Sequence, residues 1–243
     1  GGDKAIFGYG DSGSATNLSN LVSSSGVIAS DTTGVGTARY APAAASYGED
    51  KGIFGYGDTG GDSYVSLTNL VNNSGVIATD TTGVGTARRY LAATGYGSSG
   101  QAVFAYGSTG SRLSIKNLVS NSGVVASDAT GVGSARNNLA AVKYGTDKAI
   151  FGYGSTGSIT GVTNLVSNVG VVAADVSGVG TARQYLAAAS YGGDKALFGY
   201  GNTAGGAVSM TNLVNNSGVV GSDVTGVGSV RETLGAAGYS TSA

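Results

Sequence analysis

One unit of about 48 residues is written five times in this chain, and that repetition constrains the fold more than any other feature. Each copy runs A-I-F-G-Y-G, a variable loop, N-L-V-x-N-S-G-V-V-A-S-D, T-T-G-V-G-T-A-R, then x-x-L-A-A-A-S-Y-G. The phenylalanines recur at Phe7, Phe54, Phe104, Phe151 and Phe198, and the arginines at Arg39, Arg88, Arg136, Arg183 and Arg231. A period near this length, built of short apolar runs and glycine turns, marks a ring or array of small β-units, the blades of a propeller above all.

The copies align with one another. From the Asn of N-L-V to the following Asp is always 11 residues, and from that Asp to the Arg always 8. Length varies between Phe and Asn and, slightly, between the Tyr of the small-residue run and the next Phe. Constant spacing marks framework, and variable spacing marks exposed loops. Each unit reads as four strands: a small-residue strand such as Leu186 to Tyr191, a second from Lys148 to Tyr153, a third from Val162 to Val166, and a fourth such as Gly123 to Ser127. Gly-Asp, Ser-Thr-Gly, Asn-Ser-Gly and Thr-Gly-Val-Gly supply the turns. No window keeps a 3.6-residue apolar period, and glycine, at 45 residues, recurs too often for helices.

Neighbouring blades cover both faces of each sheet, which accounts for bulk on both faces of the second strand. The alanine-rich first strand suits the crowded axis. The chain opens on the second strand of a unit and ends on the first (Leu234 to Tyr239). These two are expected to pair, closing a single five-bladed, all-β domain over residues 1–243 whose blades are four-stranded and antiparallel. The expectation is a compact monomer.

The tail of each unit, T-A-R-x-x-L-A-A-A-S-Y-G-G-D-K-A-L-F-G-Y-G, resembles the kelch motif, in which an Arg precedes a small-residue strand and a second strand ends in paired glycines. It departs from kelch in its Gly-Tyr-Gly and in lacking tryptophan. The units are also similar to kelch-like repeats of phage and environmental sequences. The resemblance implies a propeller fold, and the closeness of the copies implies a blade recently amplified or designed.

Chemistry is constrained by absences. The chain has no His, Cys or Trp, which leaves no imidazole or thiolate metal site, disulfide or His-dependent nucleophile. No catalytic residue, cofactor or metal is expected. Thirteen basic and 14 acidic side chains are spread without a basic stripe, so nucleic acid is not an expected partner. No run reaches the roughly 18 apolar residues of a membrane helix, so a membrane is not expected either. The first residues show no signal-peptide pattern, and three sequons, at Asn17, Asn72 and Asn215, bear only on a secreted chain.

Several motifs have a chemical and a structural reading. Gly8 to Gly13, Gly55 to Gly60 and Gly152 to Gly157 match G-x-G-x-x-G, but a strand follows each where a dinucleotide site needs a helix. Asp31, Asp80, Asp128, Asp175 and Asp223 could ring a cation. The structural reading is stronger: each accepts turn N–H groups or pairs with an Arg (Arg39, Arg88, Arg136, Arg183, Arg231), fixing the connection to the next blade. Tyr9, Tyr56, Tyr106, Tyr153 and Tyr200 read as core rather than as a sugar-stacking ring. Binding is expected in the loops that differ, 11–16, 58–67, 108–116, 155–163 and 202–211, with Asp11, Asp58, Tyr64, Arg112, Ser155 and Asn202 as candidates. The expected function is a non-enzymatic scaffold or binding module, phage-type structural by resemblance, with a protein or glycan partner. The alternative is a multivalent lectin with equivalent pockets between blades.

Overall fold

The computed structural model describes residues 4–131 and 133–238, and every regular element in it is a strand. In chain order these are β1 (Ala5–Asp11), β2 (Ala15–Val22), β3 (Ala43–Tyr47), β4 (Lys51–Gly55), β5 (Thr68–Val71), β6 (Ala92–Tyr96), β7 (Gln101–Ala105), β8 (Lys116–Val119), β9 (Ala140–Tyr144), β10 (Lys148–Gly152), β11 (Thr163–Val166), β12 (Ala187–Tyr191), β13 (Lys195–Gly199), β14 (Asn202–Thr203), β15 (Gly206–Ala207) and β16 (Thr211–Val214). The sheets are antiparallel: β1-β2, then β3-β4-β5, β6-β7-β8, β9-β10-β11 and β12-β13-β16, with β14-β15 a small hairpin inside a loop. The alanine-rich strands β3, β6, β9 and β12 pack successively on one another.

The expected fourth strand is not a full strand among the described residues. It survives as two isolated bridges per unit, Val71 to Ile77 and Thr68 to Thr81 in the second. The cause is a side chain. Asn69 Nδ2 donates to the Ala78 carbonyl at 3.0 Å and to Asp80 Oδ1 at 2.9 Å, taking ladder positions the backbone would otherwise use. Between the two bridges, two residues on one side then face three on the other, a bulge built around the amide.

In units two to five the second strand also stops early, whereas β1 of unit one runs on past Tyr9 with a register shift between Gly8 and Gly10. β10 ends at Gly152, and Tyr153 lies beyond it with φ of 65°; Tyr9, Tyr56, Tyr106 and Tyr200 have φ of 61°, 63°, 66° and 62°. A tyrosine two residues after a phenylalanine would share its face in a regular strand. The left-handed residue reverses that. Phe54 points back to Tyr9 of the preceding unit, and Tyr56 points forward to Phe104 of the next, each pair edge-to-face at 5.2 Å. Gly55 lies between them because a Cβ there would meet Phe104 Cζ at 2.8 Å. Where the third unit has Ala105 instead, the next pair, Tyr106 and Phe151, opens to 5.4 Å.

The core is therefore a series of clusters between sheets. One gathers Tyr56 with Leu91 and Phe104, another Tyr106 with Leu139 and Phe151, another Tyr153 with Leu186 and Phe198. Residues 234–238 follow β12 in the succession of alanine-rich segments: the Thr233 N–H donates to the Tyr185 carbonyl at 2.9 Å, and Gly238 lies against the Ser190 carbonyl. These residues are not assigned to a strand, and Tyr239, the expected end of that strand, lies outside the described residues. In this topology the 56–67 type of loop and the Arg-bearing connections share one end of every sheet. The short hairpins and Asn-Ser-Gly turns share the other.

Candidate functional site

Two sets of residues meet at the loop end: a repeated junction and a cleft above it that does not repeat.

The junction recurs between units one and two, two and three, and three and four, and with one bond changed between four and five. Arg39 is wholly buried, with its guanidinium 4.0 Å above the Tyr9 ring, Nη1 donating to the Thr37 carbonyl at 3.0 Å and Nη2 to Asn69 Oδ1 of the next unit at 2.6 Å. Arg88, Arg136 and Arg183 are equally buried and cover Tyr56, Tyr106 and Tyr153. Arg88 and Arg136 reach Asn117 and Asn164. Arg183 bonds the Phe198 carbonyl at 3.4 Å instead, and Asn212 Oδ1 has no donor.

The carboxylates also act across the junction. Asp80 takes the Thr37 hydroxyl at 2.6 Å and its N–H at 3.0 Å; Asp128 does the same to Thr86, Asp175 to Ser134 and Asp223 to Thr181. The nearest Asp to Arg39 is thus Asp80 at 4.0 Å, from the following unit, and Arg136 and Arg183 likewise lie 3.8 and 3.9 Å from Asp175 and Asp223. Partial burial raises the pKa of these carboxyls, but hydrogen bonds from Thr37 and Asn69 to Asp80, and their equivalents elsewhere, prevail and hold all four below the usual range. Burial lowers the arginines' pKa and raises that of Tyr56, Tyr106 and Tyr153. The tyrosine rings are covered and unavailable for stacking on a ligand.

At the two ends of the array the same groups lack their counterparts. Phe7 is 56% exposed, and Asp31 and Arg231 are exposed. Asn20 already holds Asp31 at 2.8 Å, and Arg231 already covers Tyr200 at 4.0 Å. Gly36, Gly85, Gly133 and Gly180 each have an Asp and an Asn of the next unit within contact, whereas nothing lies near Gly228.

The cleft lies above this framework. A run of left-handed residues follows the Arg-x of each unit (Ala41, Tyr90, Asn138, Tyr185 and Thr233, with φ from 50° to 57°), and Tyr90, Asn138 and Tyr185 of this run line the cleft. Tyr90 N–H donates to the Ala41 carbonyl, Asn138 to Tyr90, Tyr185 to Asn138 and Thr233 to Tyr185, at 3.4, 3.1, 3.0 and 2.9 Å. An opening of about 930 Å³ spans units three to five, lined by Tyr90, Arg112, Asn137, Asn138, Gln184 and Tyr185 among others.

The candidate loop residues divide accordingly. Arg112 and Ser155 line the cleft, and Asn202 lies next to it, bridged to Gln184. Asp58 and Tyr64 belong to a separate ion-pair cluster: Asp58, wholly buried, is 2.7 Å from Arg89, which also reaches Asp62 at 2.7 Å and covers Tyr64 at 5.3 Å, while Tyr40 donates to Asp58 at 3.1 Å. Asp11 is exposed and caps its own turn through the Gly13 N–H. The glycine motifs form turns after strands, with no helix beyond them. Among the described residues no group of three acidic side chains is placed to hold a metal.

Sequence reasoning passed over the pairs Arg89-Tyr90, Asn137-Asn138 and Gln184-Tyr185. Their signal was variability itself: they are the two unmatched positions between the repeated Arg and the repeated small-residue strand.

No model of a known protein family matches the chain, and no curated protein matches it.

Proposed function

We propose that the chain closes into a kelch-like, five-bladed β-propeller and serves as a non-enzymatic binding scaffold whose ligand sits on the loop end. Closure is supported by the complementarity of the two ends. Phe7 lacks the tyrosine that every other repeated phenylalanine has, and Tyr200 lacks a phenylalanine. Asp31 lacks the hydroxyl that Ser229 would supply, and Asn20 lacks the guanidinium of Arg231. Ala236 and Ala237 line the same cleft, of about 830 Å³, as Ala5 and Ile6 of β1 and Ala44 and Ala45 of β3. Closing it would bury an exposed edge and give the first unit its inner strand.

The observation that carries the functional reading is where the repeat breaks. Residues that hold the framework are nearly the same in every unit, while the pair after each repeated Arg, which lines the loop-end cleft in units three and four, varies: Tyr40-Ala41, Arg89-Tyr90, Asn137-Asn138, Gln184-Tyr185 and Glu232-Thr233. Among the described residues lining the cleft there is no carboxylate, which favours binding over acid–base chemistry. The junctions are occupied by their own side chains, which weighs against five equivalent pockets between blades.

Residues kept for binding add little to stability and commonly cost some. Replacing Asn137→Ala together with Asn138→Gly removes two amides whose Oδ1 atoms are buried without donors. Glycine also suits the φ of 56° at position 138. The double variant is expected to melt within a few degrees of the parent or above it. A loss greater than about 1 kcal/mol would make these residues framework and overturn the reading.

A further inference from the structure

We propose that the loop-end cleft binds an oligosaccharide bearing a carboxylate; this rests on the binding-scaffold reading above. The argument begins with what the cleft leaves unpaired. Asn137 Oδ1 and Asn138 Oδ1 are buried acceptors without a donor. Among the described residues, the only side-chain hydrogen bond of these two asparagines is a long one, from Asn138 Nδ2 to Gln184 Oε1 at 3.4 Å. Open buried acceptors cost free energy, and a turn of either amide toward the cleft would recover it by accepting a ligand hydroxyl.

Arg112 supplies the other requirement. Its guanidinium crosses to the loop of the fourth unit, 3.9 Å from the Cβ position of Gly157, and makes no ion pair or hydrogen bond among the described residues. Among the described residues it is the one charged side chain lining the cleft. A planar, open guanidinium matches a carboxylate through two parallel hydrogen bonds. Tyr185 adds aromatic surface suited to the C–H face of a pyranose, while Tyr90 has one face already covered by Arg89 at 4.8 Å.

A partner offering hydroxyl donors, one carboxylate and an apolar ring face is a sugar acid within a glycan. The opening, about 930 Å³, is at the upper end of the roughly 300–1,000 Å³ of small-molecule sites. A phosphate ligand is a poorer match, with one guanidinium and no helix N-terminus to receive it. Hydrolysis is not part of the proposal, because glycosidases need two carboxyl groups at the bond and the cleft lining has none.

The contrast within the mouth is informative. On the side of units one and two, Arg89 is neutralised by Asp58 and Asp62, and Tyr40 and Tyr64 complete their hydrogen bonds. On the side of units three to five, no carboxylate among the described cleft residues plays that part.

The test is titration calorimetry of the full chain with three trisaccharides: 3′-sialyllactose, trigalacturonate and neutral maltotriose. At least one acidic probe is expected to bind about tenfold more tightly than maltotriose. Binding of the first alone assigns a terminal sugar acid, and of the second alone an in-chain uronate. Arg112→Ala should bring the acidic probe down to the neutral level, and Asn138→Gly should weaken every probe that binds. Equal binding of acidic and neutral probes, no binding of either acidic probe up to about 10 mM, or full binding by Arg112→Ala each overturns the proposal. If the probes fail while the Asn137→Ala/Asn138→Gly protein keeps its stability, the saccharide assignment falls alone; if that protein is destabilised, the scaffold reading falls with it.

Discussion

Tyr56 meets Phe104 edge-on at 5.2 Å across the boundary between two units, although Phe54, two residues before Tyr56, faces the opposite way. The left-handed backbone at Tyr56 makes this possible, and it gives every unit a phenylalanine for the unit before it and a tyrosine for the unit after. Such a conformation costs on the order of 1–3 kcal/mol for a non-glycine residue and persists only where surrounding contacts fix it. Here the stacked Arg88 guanidinium and the Tyr56 hydroxyl bond to the Val84 carbonyl do so.

Phe104 should therefore be among the most sensitive positions in the chain. Phe104→Ala removes a wholly buried ring and the edge contact with Tyr56, and should cost about 3–5 kcal/mol in urea unfolding. A cost under about 1 kcal/mol would mean that the junction packs through the backbone and not through these rings.

The arginines are expected to behave as buried links, not as surface charges. Arg136→Ala leaves Asn164 without its donor and Tyr106 without its cover, and should cost about 3–5 kcal/mol. The same substitution at Arg231 discriminates between ring and open array. In a closed ring Arg231→Ala should cost nearly as much; in an open one it should be close to neutral, as for an exposed side chain.

The pH dependence follows from Asp80, Asp128, Asp175 and Asp223. Their folded pKa values lie below the ordinary value, so the folded state takes up protons less readily than the unfolded chain. The stability they contribute is complete above the unfolded carboxyl value of about 3.9 and is lost as pH falls through the lower folded values. Melting temperature should be flat from neutral pH to about 5 and fall below about 4, and Asp128→Asn should make that acid limb shallower. An unchanged limb in the variant would place the acid sensitivity elsewhere.

Much of this was legible because the chain contains its own alignment. The second strands were found to within a residue or two, since Ile150 and Phe151 between glycine turns leave little choice. The constant spacing of 11 residues from Asn to Asp is a direct hydrogen bond, Asn69 to Asp80 and its equivalents. What that asparagine does to the fourth strand was not legible, because an amide inserted into a ladder leaves no trace in hydrophobic pattern. The direction of Tyr56 was hidden for a related reason: a left-handed tyrosine looks like any strand tyrosine in sequence. The cleft was missed because a search for repeated residues passes over the positions where the repeat fails.

Closure of the ring can be measured most directly by a disulfide in a chain that has no cysteine of its own. At the other junctions the residue after the Arg bridges the residue two after the left-handed Tyr: Tyr40 with Asp58, Arg89 with Ser108, Asn137 with Ser155, Gln184 with Asn202. The fifth such pair is Glu232 with Asp11. Bridged residues in an antiparallel pair stand about 4.5–5.5 Å apart at Cα, within reach of a disulfide. Asp11→Cys with Glu232→Cys, oxidised mildly in dilute solution, should give a monomer without free thiols and with a raised melting temperature. Thiols that stay free, or a disulfide-linked dimer in place of the monomer, would contradict closure of the ring.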